Sequence, residues 1–298
     1  MLDRKGIFSY LAITFIVTYL IEGALILSGL RMHDAPPIYG QLAIAGVMWV
    51  PALATFLTIK FVTREGFAIT NLRFGSWRPY VAAALLMPAA FAVIYGLTWL
   101  LGLGEPDWQL VQFRQMMAAA GQDMDAGADF NSAQVLAVAF LSSIVVGPTI
   151  NGLFGFGEEF GWRGYLLPKL MPLGKVRAYI LLGVIWGLWH APLILVGFNY
   201  PGYPVLGIFA MMGFMTAVGI YLNEMTLRHR SSILAGSIHG ALNGQGYGIW
   251  GILFPNVNPL LGGVTGLAGM AVWLAIGLWV ARRPYPASGA VTASSQVR

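Results

Sequence analysis

The sequence predicts an all-α, polytopic membrane protein, and three observations lead to this fold class. Of the 298 residues, 57% are hydrophobic and only 10% are charged, whereas a soluble domain carries about 25% charged residues. The mean hydropathy is +0.71, and long runs without charge recur along the chain. The sequence lacks the short alternating strands of a membrane barrel, so helices are expected to span the lipid.

Eight apolar runs are long enough to cross a bilayer as helices, which takes roughly 20 residues. They cover residues 7–30, 40–62, 80–103, 133–156, 178–197, 204–223, 231–251 and 264–281. The first run is longer than the apolar region of a signal peptide and has no small-residue cleavage site, so we expect it to be retained. We predict a single transmembrane domain over residues 1–283 and a disordered tail over residues 284–298.

The basic residues support this division. With the amino terminus in the cytoplasm, the positive-inside rule places 15 of the 17 Lys and Arg residues on the inner side and leaves Arg31 and Arg114 outside. We therefore expect a multi-pass protein of the cell membrane with both termini in the cytoplasm. The same rule accounts for the net charge of +5, so membrane lipid is the predicted partner and nucleic acid is not.

The longest connection, residues 104–132, is predicted to be external and acidic. Its stretch 107–120 mixes aromatic, polar and small residues, which favours a solvated loop over an interfacial helix. Glycines four residues apart let helices approach closely in lipid, and such pairs occur at Gly183/Gly187, Gly240/Gly244 and Gly262/Gly266.

Ionisable residues inside apolar runs are candidate functional residues, because a charge in lipid costs on the order of 3 kcal/mol. The fourth run leads into Glu158, Glu159 and Arg163, and we expect its helix to stop at Pro168. Glu159 and Arg163 are four residues apart in the order that favours an ion pair. Glu158 is turned about 100° away from Glu159, so one carboxylate can be held structurally while the other is free for chemistry.

Two further runs carry the other polar candidates. The fifth contains His190, and the seventh contains His239 with Asn243 one turn later. At 1.5 Å per residue, Glu158, His190 and His239 lie about 14, 18 and 12 Å from the cytoplasmic ends of their helices. The sequence thus predicts one intramembrane cluster of Glu158, His190, His239 and Asn243, which opens toward the cytoplasm.

Other polar and aromatic residues receive structural interpretations. Glu22 has no evident partner and is kept outside the predicted site. Glu224 and His229 fall at a cytoplasmic connection and are expected to be solvated. Trp186 and Trp189 are expected to serve in packing.

A carboxylate beside an imidazole can deprotonate water, and a second His with an Asn can donate to an oxyanion. This set is suited to amide hydrolysis by activated water. Glu158, His190 and His239 also form a familiar zinc set, so a zinc site is the alternative. The chain has no cysteine, no His-Glu-x-x-His, no Gly-x-Ser-Gly and no intramembrane pair of Asp residues, which excludes the corresponding hydrolases.

The three motifs resemble those of the CAAX protease and bacteriocin-processing (CPBP, Abi-like) family. They are Glu158-Glu159-x-x-x-Arg163, Trp186-x-x-x-His190 and His239-x-x-x-Asn243, within a core of about residues 133–251. The best-known members are the type II CAAX prenyl endopeptidases. Trp186 stands where the family usually has Phe, so the aromatic wall is kept with a different shape.

The resemblance implies an intramembrane endopeptidase that cleaves near the cytoplasmic face. Glu158 and His190 would activate water, His239 and Asn243 would hold the oxyanion, and Glu159 with Arg163 would support the site. No metal is the preferred expectation, with zinc as the alternative. The expected substrates are membrane-associated or prenylated peptides. A transporter or an immunity-type protein without turnover is the non-enzymatic alternative, and the oligomeric state is left open.

Overall fold

Helices make up the regular structure of the described residues, apart from one β-bridge between Gly104 and Val257. The computed structural model describes residues 2–31, 38–119, 121 and 130–285, so the predicted tail lies outside these residues from position 286 onward. The α-helices are α1 (Arg4–Leu27), α2 (Ile38–Val47), α3 (Val50–Leu57), α4 (Arg78–Leu100), α5 (Val111–Ala119), α6 (Ser132–Val145), α7 (Gly152–Glu159), α8 (Leu167–Leu170), α9 (Lys175–Trp189), α10 (Ala191–Leu195), α11 (Leu206–His229), α12 (Ser232–Gly244), α13 (Gly251–Leu253) and α14 (Leu267–Ala281). Four further segments are π-helical, namely Thr58–Thr63, Gly147–Asn151, Phe160–Leu166 and Gln245–Trp250. Two short segments are 3-10 helices, namely Phe67–Thr70 and Met171–Leu173.

Five helical stretches of the described chain are long and apolar enough to cross a membrane. They are Arg4–Leu27, Leu42–Thr63, Arg78–Leu100, Ser132–Leu173 and Leu206–His229. The other three predicted spans correspond to shorter or interrupted helices, namely α9 with α10, α12 with α13, and α14. The prediction of an all-α polytopic membrane protein is confirmed, while eight full crossings stay a prediction.

The fourth helical stretch does not stop at Pro168, as the sequence suggested, but continues to Leu173 over 42 residues. Pro168 lies in the first turn of α8, directly after the π-helical segment Phe160–Leu166. The hydrogen-bond register changes where a π-helical segment meets an α-helix. At the start of a helix the backbone N–H groups have no partner within the helix, so the missing N–H of proline breaks no hydrogen bond. The helix therefore tolerates this proline.

The fifth stretch breaks at His190, between α9 and α10, and Pro192 lies in the first turn of α10. Because proline has no N–H, it cannot donate to the carbonyl of Leu188 four residues earlier. The hydroxyl of Tyr19 on α1 donates to that carbonyl instead, at 2.6 Å. A hydroxyl from another helix thus supplies the hydrogen bond that the carbonyl of Leu188 lacks at the break next to His190.

One end of the helical bundle, called here the basic end, contains the connections 64–77 and 171–175 and the turn 229–232. Lys169 Nζ lies 2.7 Å from both Asp3 Oδ2 and Glu65 Oε2, and Arg73 Nε donates to the carbonyl of Arg230 at 2.8 Å. The basic residues of the described chain that lie at this end are Arg4, Lys5, Lys60, Arg64, Arg73, Arg78, Lys169, Lys175, Arg177, Arg228, Arg230, Arg282 and Arg283.

The opposite end, called here the loop end, contains the connections 101–110, 196–205 and 254–266. The amide of Asn258 donates to the carbonyl of Leu103 at 2.7 Å, and Tyr200 Oη donates to the carbonyl of Thr265 at 2.9 Å. These contacts bring the three connections together on one face of the bundle.

Two expectations about connections are wrong. Residues Val111–Ala119 form α5 rather than a loop. Glu224 is fully buried rather than solvated, since it accepts hydrogen bonds from Tyr179 Oη at 2.9 Å and Arg228 Nε at 3.1 Å. A carboxylate near a helix end is buried here because α9 and α11 pack side by side and supply its donors.

Candidate active site

The site is built where α7 crosses α12, and glycines on both helices allow the close approach. A Cβ atom on Gly155 would lie 2.7 Å from the carbonyl oxygen of Gly236, and one on Gly236 would lie 2.6 Å from Phe156 Cα. These separations leave no room for a methyl group. The crossing brings Glu158, near the end of α7, beside His239 on α12.

Two of the three predicted glycine pairs mediate helix packing. Gly183 and Gly187 on α9 meet the backbone of α11, and Gly240 and Gly244 on α12 meet the segment that leads into α7. The third pair, Gly262/Gly266, precedes α14 in the connection 254–266, where Gly262 meets Thr98 of α4 and Leu103, and Gly266 meets the backbone of Gly262. In this connection, two glycines four residues apart do not lie on one face of a helix.

Glu159 is the centre of a buried polar network. Its Oε1 lies 3.0 Å from a terminal guanidinium nitrogen of Arg163 and 2.9 Å from His239 Nδ1. Arg163 Nε also donates to Oδ1 of Asn223 on α11, at 3.1 Å. The expected ion pair between Glu159 and Arg163 is present, while Asn223 was missed; its polarity at the end of the sixth apolar run was the signal that could have marked it.

Glu158 is held by a residue to which the sequence assigned only packing. Trp186 Nε1 donates to Glu158 Oε2 at 2.8 Å, and His239 Nε2 lies 4.0 Å from Glu158 Oε1. The guanidinium of Arg163 stacks over the Trp186 ring at 4.1 Å. Trp186 therefore contacts both charged groups of the motif, and a Phe at this position could not donate the hydrogen bond.

The tautomer of His190 follows from its contact. Its Nδ1 lies 2.9 Å from the carbonyl oxygen of Trp186, which can only accept, so Nδ1 carries the proton and Nε2 has a free lone pair. Trp189 packs edge-on against the imidazole with centroids 4.9 Å apart, and Phe198 stacks on it at 6.1 Å. The ring is held in one orientation with its basic nitrogen available.

Glu158, His190, His239 and Asn243 all line one cavity of about 420 Å³. The three motifs thus come together from α7, α9 and α12. Much of the remaining wall is apolar and comes from several helices, with Ile44, Val47, Met48, Phe214, Met215 and Leu242 among its residues.

The cavity reaches the loop end of the bundle, and the expected opening toward the cytoplasm stays a prediction. Its outer part is lined by residues of the loop-end connections 196–205 and 254–266. Toward the basic end, Trp162, Arg163 and Tyr165 are fully buried below the polar cluster. The sequence gives the depth of a residue along its helix, but it does not reveal which end of a bundle is filled by side chains.

Glu22 remains outside the lining of this cavity, as expected. It is 1% exposed on α1, and among the described residues its Oε2 has no hydrogen-bond partner. One turn earlier, Thr18 Oγ1 accepts a hydrogen bond from Trp189 Nε1 at 2.8 Å. The helix α1 is therefore a direct neighbour of the segment that carries His190.

The zinc alternative requires Glu158, His190 and His239 to converge on one ion. Within the described residues, no three His, Asp, Glu or Cys side chains are grouped so that they could hold a metal. Glu158 and His239 each already have a partner, in Trp186 and Glu159. These bonds engage Glu158 Oε2 and His239 Nδ1, so Glu158 Oε1 and His239 Nε2 are the atoms that would bind an ion, and the zinc alternative stays a prediction.

Comparisons with known proteins point to the same part of the chain. Residues 131–245 match the family described as type II CAAX prenyl endopeptidase, Rce1-like. CAAX prenyl protease 2 of Methanococcus maripaludis is 37% identical over 83 residues, which cover 26% of this chain and 30% of that protein. The alignment thus spans less than a third of that relative. All three motifs lie within the residues that match this family, so the similarity covers the candidate active site.

Proposed function

We propose that the protein is an intramembrane endopeptidase of the CAAX prenyl endopeptidase type, which hydrolyses a peptide bond with activated water. The observation that carries this proposal is the convergence of a carboxylate, two imidazoles and an amide on one largely apolar cavity. Hydrolysis needs a proton acceptor and oxyanion donors near one water molecule. The cluster contains both kinds of group.

In this mechanism Glu158 and His190 activate the water. The bond from Trp186 Nε1 fixes Oε2 of Glu158, while the free Nε2 of His190 accepts a proton. The water oxygen bonds to the peptide carbon, and the water proton passes to this pair of acceptors. When the carbon–nitrogen bond breaks, the same pair returns the proton to the leaving amine.

His239 and Asn243 stabilise the oxyanion. His239 Nδ1 donates to Glu159, so donation from Nε2 requires the doubly protonated imidazolium. Two carboxylates within 4.0 Å of its ring nitrogens stabilise that cation. Together with Arg163, the four groups then have no net charge, which favours their burial.

The proposed substrates are membrane-associated or prenylated peptides. The apolar wall formed by Ile44, Val47 and Phe214 suits an aliphatic chain or an apolar side chain. The polar groups gather at one part of the wall, where a peptide bond would meet them.

Cleavage of a fluorogenic lipidated peptide by purified protein in liposomes tests the proposal. Glu158→Gln and His190→Ala should each lower kcat by about 10²–10⁴-fold, the usual contribution of a general base. Glu105→Gln, an exposed carboxylate at the loop end, is the matched control and should retain activity. Unchanged cleavage by both site variants would overturn the assignment.

Chelation separates the metal-free mechanism from the zinc alternative. We expect activity to survive prolonged treatment with a strong chelator, and the active protein to contain far less than one zinc per chain by elemental analysis. Loss of activity on chelation that is restored by zinc would contradict the metal-free mechanism.

A further inference from the structure

We propose that the protein binds an anionic phospholipid in a groove between α4, α7 and α12, with an acyl chain along these helices and the phosphate at Arg73 and Arg230. The groove shares no lining residue with the cavity of the candidate active site, so this site does not depend on the proposed function. Three observations lead to it: the shape of the groove, a basic pocket beside it and the charge of the residues that line both.

The groove lies on the outer face of the helical bundle and has a volume of about 640 Å³. Its walls are exposed apolar side chains, among them Val81 of α4 and Leu153 of α7, which are 46% and 62% exposed. Its floor is α12, where Ile233 and Ser237 are half-buried one turn apart. The groove is therefore an apolar channel that faces the lipid.

The length and depth of the groove suit one hydrocarbon chain. The lining extends from Thr149 to Phe156, which is roughly 10 Å at 1.5 Å per residue. Gly152 makes the groove deep, because it has no side chain to fill the space where α7 lies against Ser237; a Cβ atom there would lie 3.3 Å from Ser237 Cα. A concave, mostly apolar surface of this kind is typical of a site for an apolar ligand.

A basic pocket lies next to the groove, at the basic end of the bundle. Arg73 and Arg230 line this pocket together with Phe67 and Asn71. Leu72 lines both the pocket and the groove, so the two spaces are neighbours on either side of its side chain. A lipid with its acyl chain in the groove can therefore reach the two arginines with its phosphate.

The guanidinium of Arg73 is held in place by the backbone of the turn 229–232. Its Nε donates to the carbonyl of Arg230 at 2.8 Å, and one terminal nitrogen donates to the carbonyl of His229 at 3.0 Å. Within the described part of the chain, the other terminal nitrogen of Arg73 and the guanidinium of Arg230 make no hydrogen bond or ion pair. These groups can donate to a phosphate, which guanidinium binds strongly.

The charge of the pocket favours a negative head group. Among the described residues, the linings of the pocket and the groove contain two arginines and no Asp or Glu. The acidic residue of the connection 64–77 is Glu65, whose Oε2 is already paired with Lys169 Nζ at 2.7 Å. Basic pockets between membrane helices bind the head groups of anionic lipids. Residues 286–298 of the chain have no acidic side chain, so their charge does not match this pocket.

The groove also touches the helix crossing that builds the candidate active site. Phe156 and Ser237 line the groove, and each is next in sequence to a glycine of the crossing, Gly155 and Gly236. A bound lipid would contact α4, α7 and α12 together. Because a ligand that binds the folded state stabilises it, the lipid should raise the thermal midpoint of the protein.

Titration of the purified protein in neutral detergent with phosphatidylglycerol, or with phosphatidylcholine of the same acyl chains, tests the choice of lipid. Native mass spectrometry counts the bound lipids, and tryptophan fluorescence follows the thermal midpoint. We expect phosphatidylglycerol to bind about tenfold more tightly than phosphatidylcholine and to raise the midpoint further. Equal affinity for the two lipids would overturn the inference. Displacement of phosphatidylglycerol by inorganic phosphate would assign the pocket to free phosphate and also contradict it.

Arg230→Gln tests the basic pocket, because it removes one exposed charge and keeps the carbonyl to which Arg73 donates. It should weaken the binding of phosphatidylglycerol about fivefold, the contribution of one basic residue near an anionic lipid. Arg177→Gln, which changes an exposed arginine of α9 at the same end, is the matched control and should bind as wild type does. Wild-type affinity of the Arg230 variant would overturn the inference.

Ala84→Phe tests the groove, because a phenyl ring at this lining position would occupy the space of the acyl chain. Binding of phosphatidylglycerol should fall strongly, whereas Ala82→Phe, at an exposed position off the lining, should leave it unchanged. Equal binding by the two variants would contradict the assignment of the groove. If Ala84→Phe does not fold, the surface variant Arg230→Gln still decides.

Two other occupants of the groove can be recognised in the same measurements. If the full chain binds no phosphatidylglycerol but a variant that ends at Tyr285 does, residues 286–298 fill the site and the inference is wrong. Dimers that form only when the groove is unaltered, and that phosphatidylglycerol does not dissociate, would show a second copy there and would also contradict it. No readout uses peptide cleavage, so the inference can fail or hold whatever the outcome for the proposed function.

Discussion

Trp186 shows how one substitution within a motif changes the surroundings of a catalytic candidate. Its indole donates to Glu158 and stacks under Arg163, whereas the Phe that is usual at this position in the family offers only the ring. A hydrogen bond to a charged group contributes about 1.5–3 kcal/mol. In the proposed mechanism, this bond fixes the orientation of the general base.

We expect Trp186→Phe to lower kcat by about tenfold or more, because a Glu158 carboxylate without its donor samples unproductive orientations. Peptide cleavage in liposomes measures the effect. Trp189→Phe is the matched control, since it removes an indole that donates to Thr18 instead of a carboxylate. Equal losses in the two variants would show that ring packing, not the hydrogen bond to Glu158, is responsible.

Arg163 illustrates the cost of an unpaired charge. Replacement by Met would leave the buried Glu159 carboxylate without the guanidinium and the cluster with an unbalanced negative charge, which costs about 3–5 kcal/mol. We therefore expect Arg163→Met to lower the thermal midpoint in detergent strongly, as followed by tryptophan fluorescence. Lys175→Met is the control, because Glu224 keeps Arg228 and Tyr179 when Lys175 is lost. A midpoint for Arg163→Met close to that of the control would argue against the ion pair.

At the scale of elements, the crossing of α7 and α12 determines the site. We expect Gly155→Ala to lower both stability and kcat, because the added methyl would collide with the backbone at Gly236 and move Glu158 away from His239. Gly96→Ala in α4 is the matched control, since a Cβ there has no neighbour within 4 Å. The control should be neutral or slightly stabilising, as alanine favours helix over glycine. Wild-type activity of Gly155→Ala would contradict the proposed role of the crossing.

The positions of the helices could be predicted from hydropathy, whereas their interruptions could not. Pro168 was expected to end a helix and does not, while the break at His190 depends on Tyr19 from α1, which supplies the donor that Pro192 lacks. Local sequence reports the missing N–H. Only tertiary structure shows which group replaces it.

For the whole molecule, the motifs were sufficient to predict which residues gather in one cavity. The contacts of Trp186 and Asn223 were missed because they depend on how α9 and α11 pack against α7 and the π-helical segment Phe160–Leu166. Which end of the bundle is filled could not be predicted either, since it depends on the packing of large side chains such as Trp162.

The stability of the protein also depends on pH, through Asp3 at the basic end. Lys169 and the amide of Gly6 hold the pKa of Asp3 below its ordinary value of 3.8. The ionised Asp3 therefore stabilises the fold above this value, and the contribution is lost as the pH falls below about 4. Asp3→Asn keeps an amide oxygen for the helix cap but removes the charge.

We expect Asp3→Asn to lower stability at neutral pH by less than about 1 kcal/mol, as is usual for a partly exposed ion pair. The difference from wild type should shrink in acid as Asp3 takes up a proton, which thermal midpoints between pH 3 and pH 7 will measure. Glu105→Gln at the loop end is the control. A difference that stays constant with pH would contradict the role of the Asp3 charge.

The contacts of α1 have a consequence for dissecting the protein. Tyr10, Thr14, Thr18 and Glu22, at every fourth position, are buried along one face of this helix. Thr18 and Tyr19 satisfy Trp189 and the carbonyl of Leu188 beside His190. A fragment that begins at residue 131 would keep all three motifs yet expose these polar groups to lipid, and a separately produced amino-terminal fragment would have to restore them. The part of the chain that contains the three motifs is therefore shorter than the part that must be present in the membrane to support them.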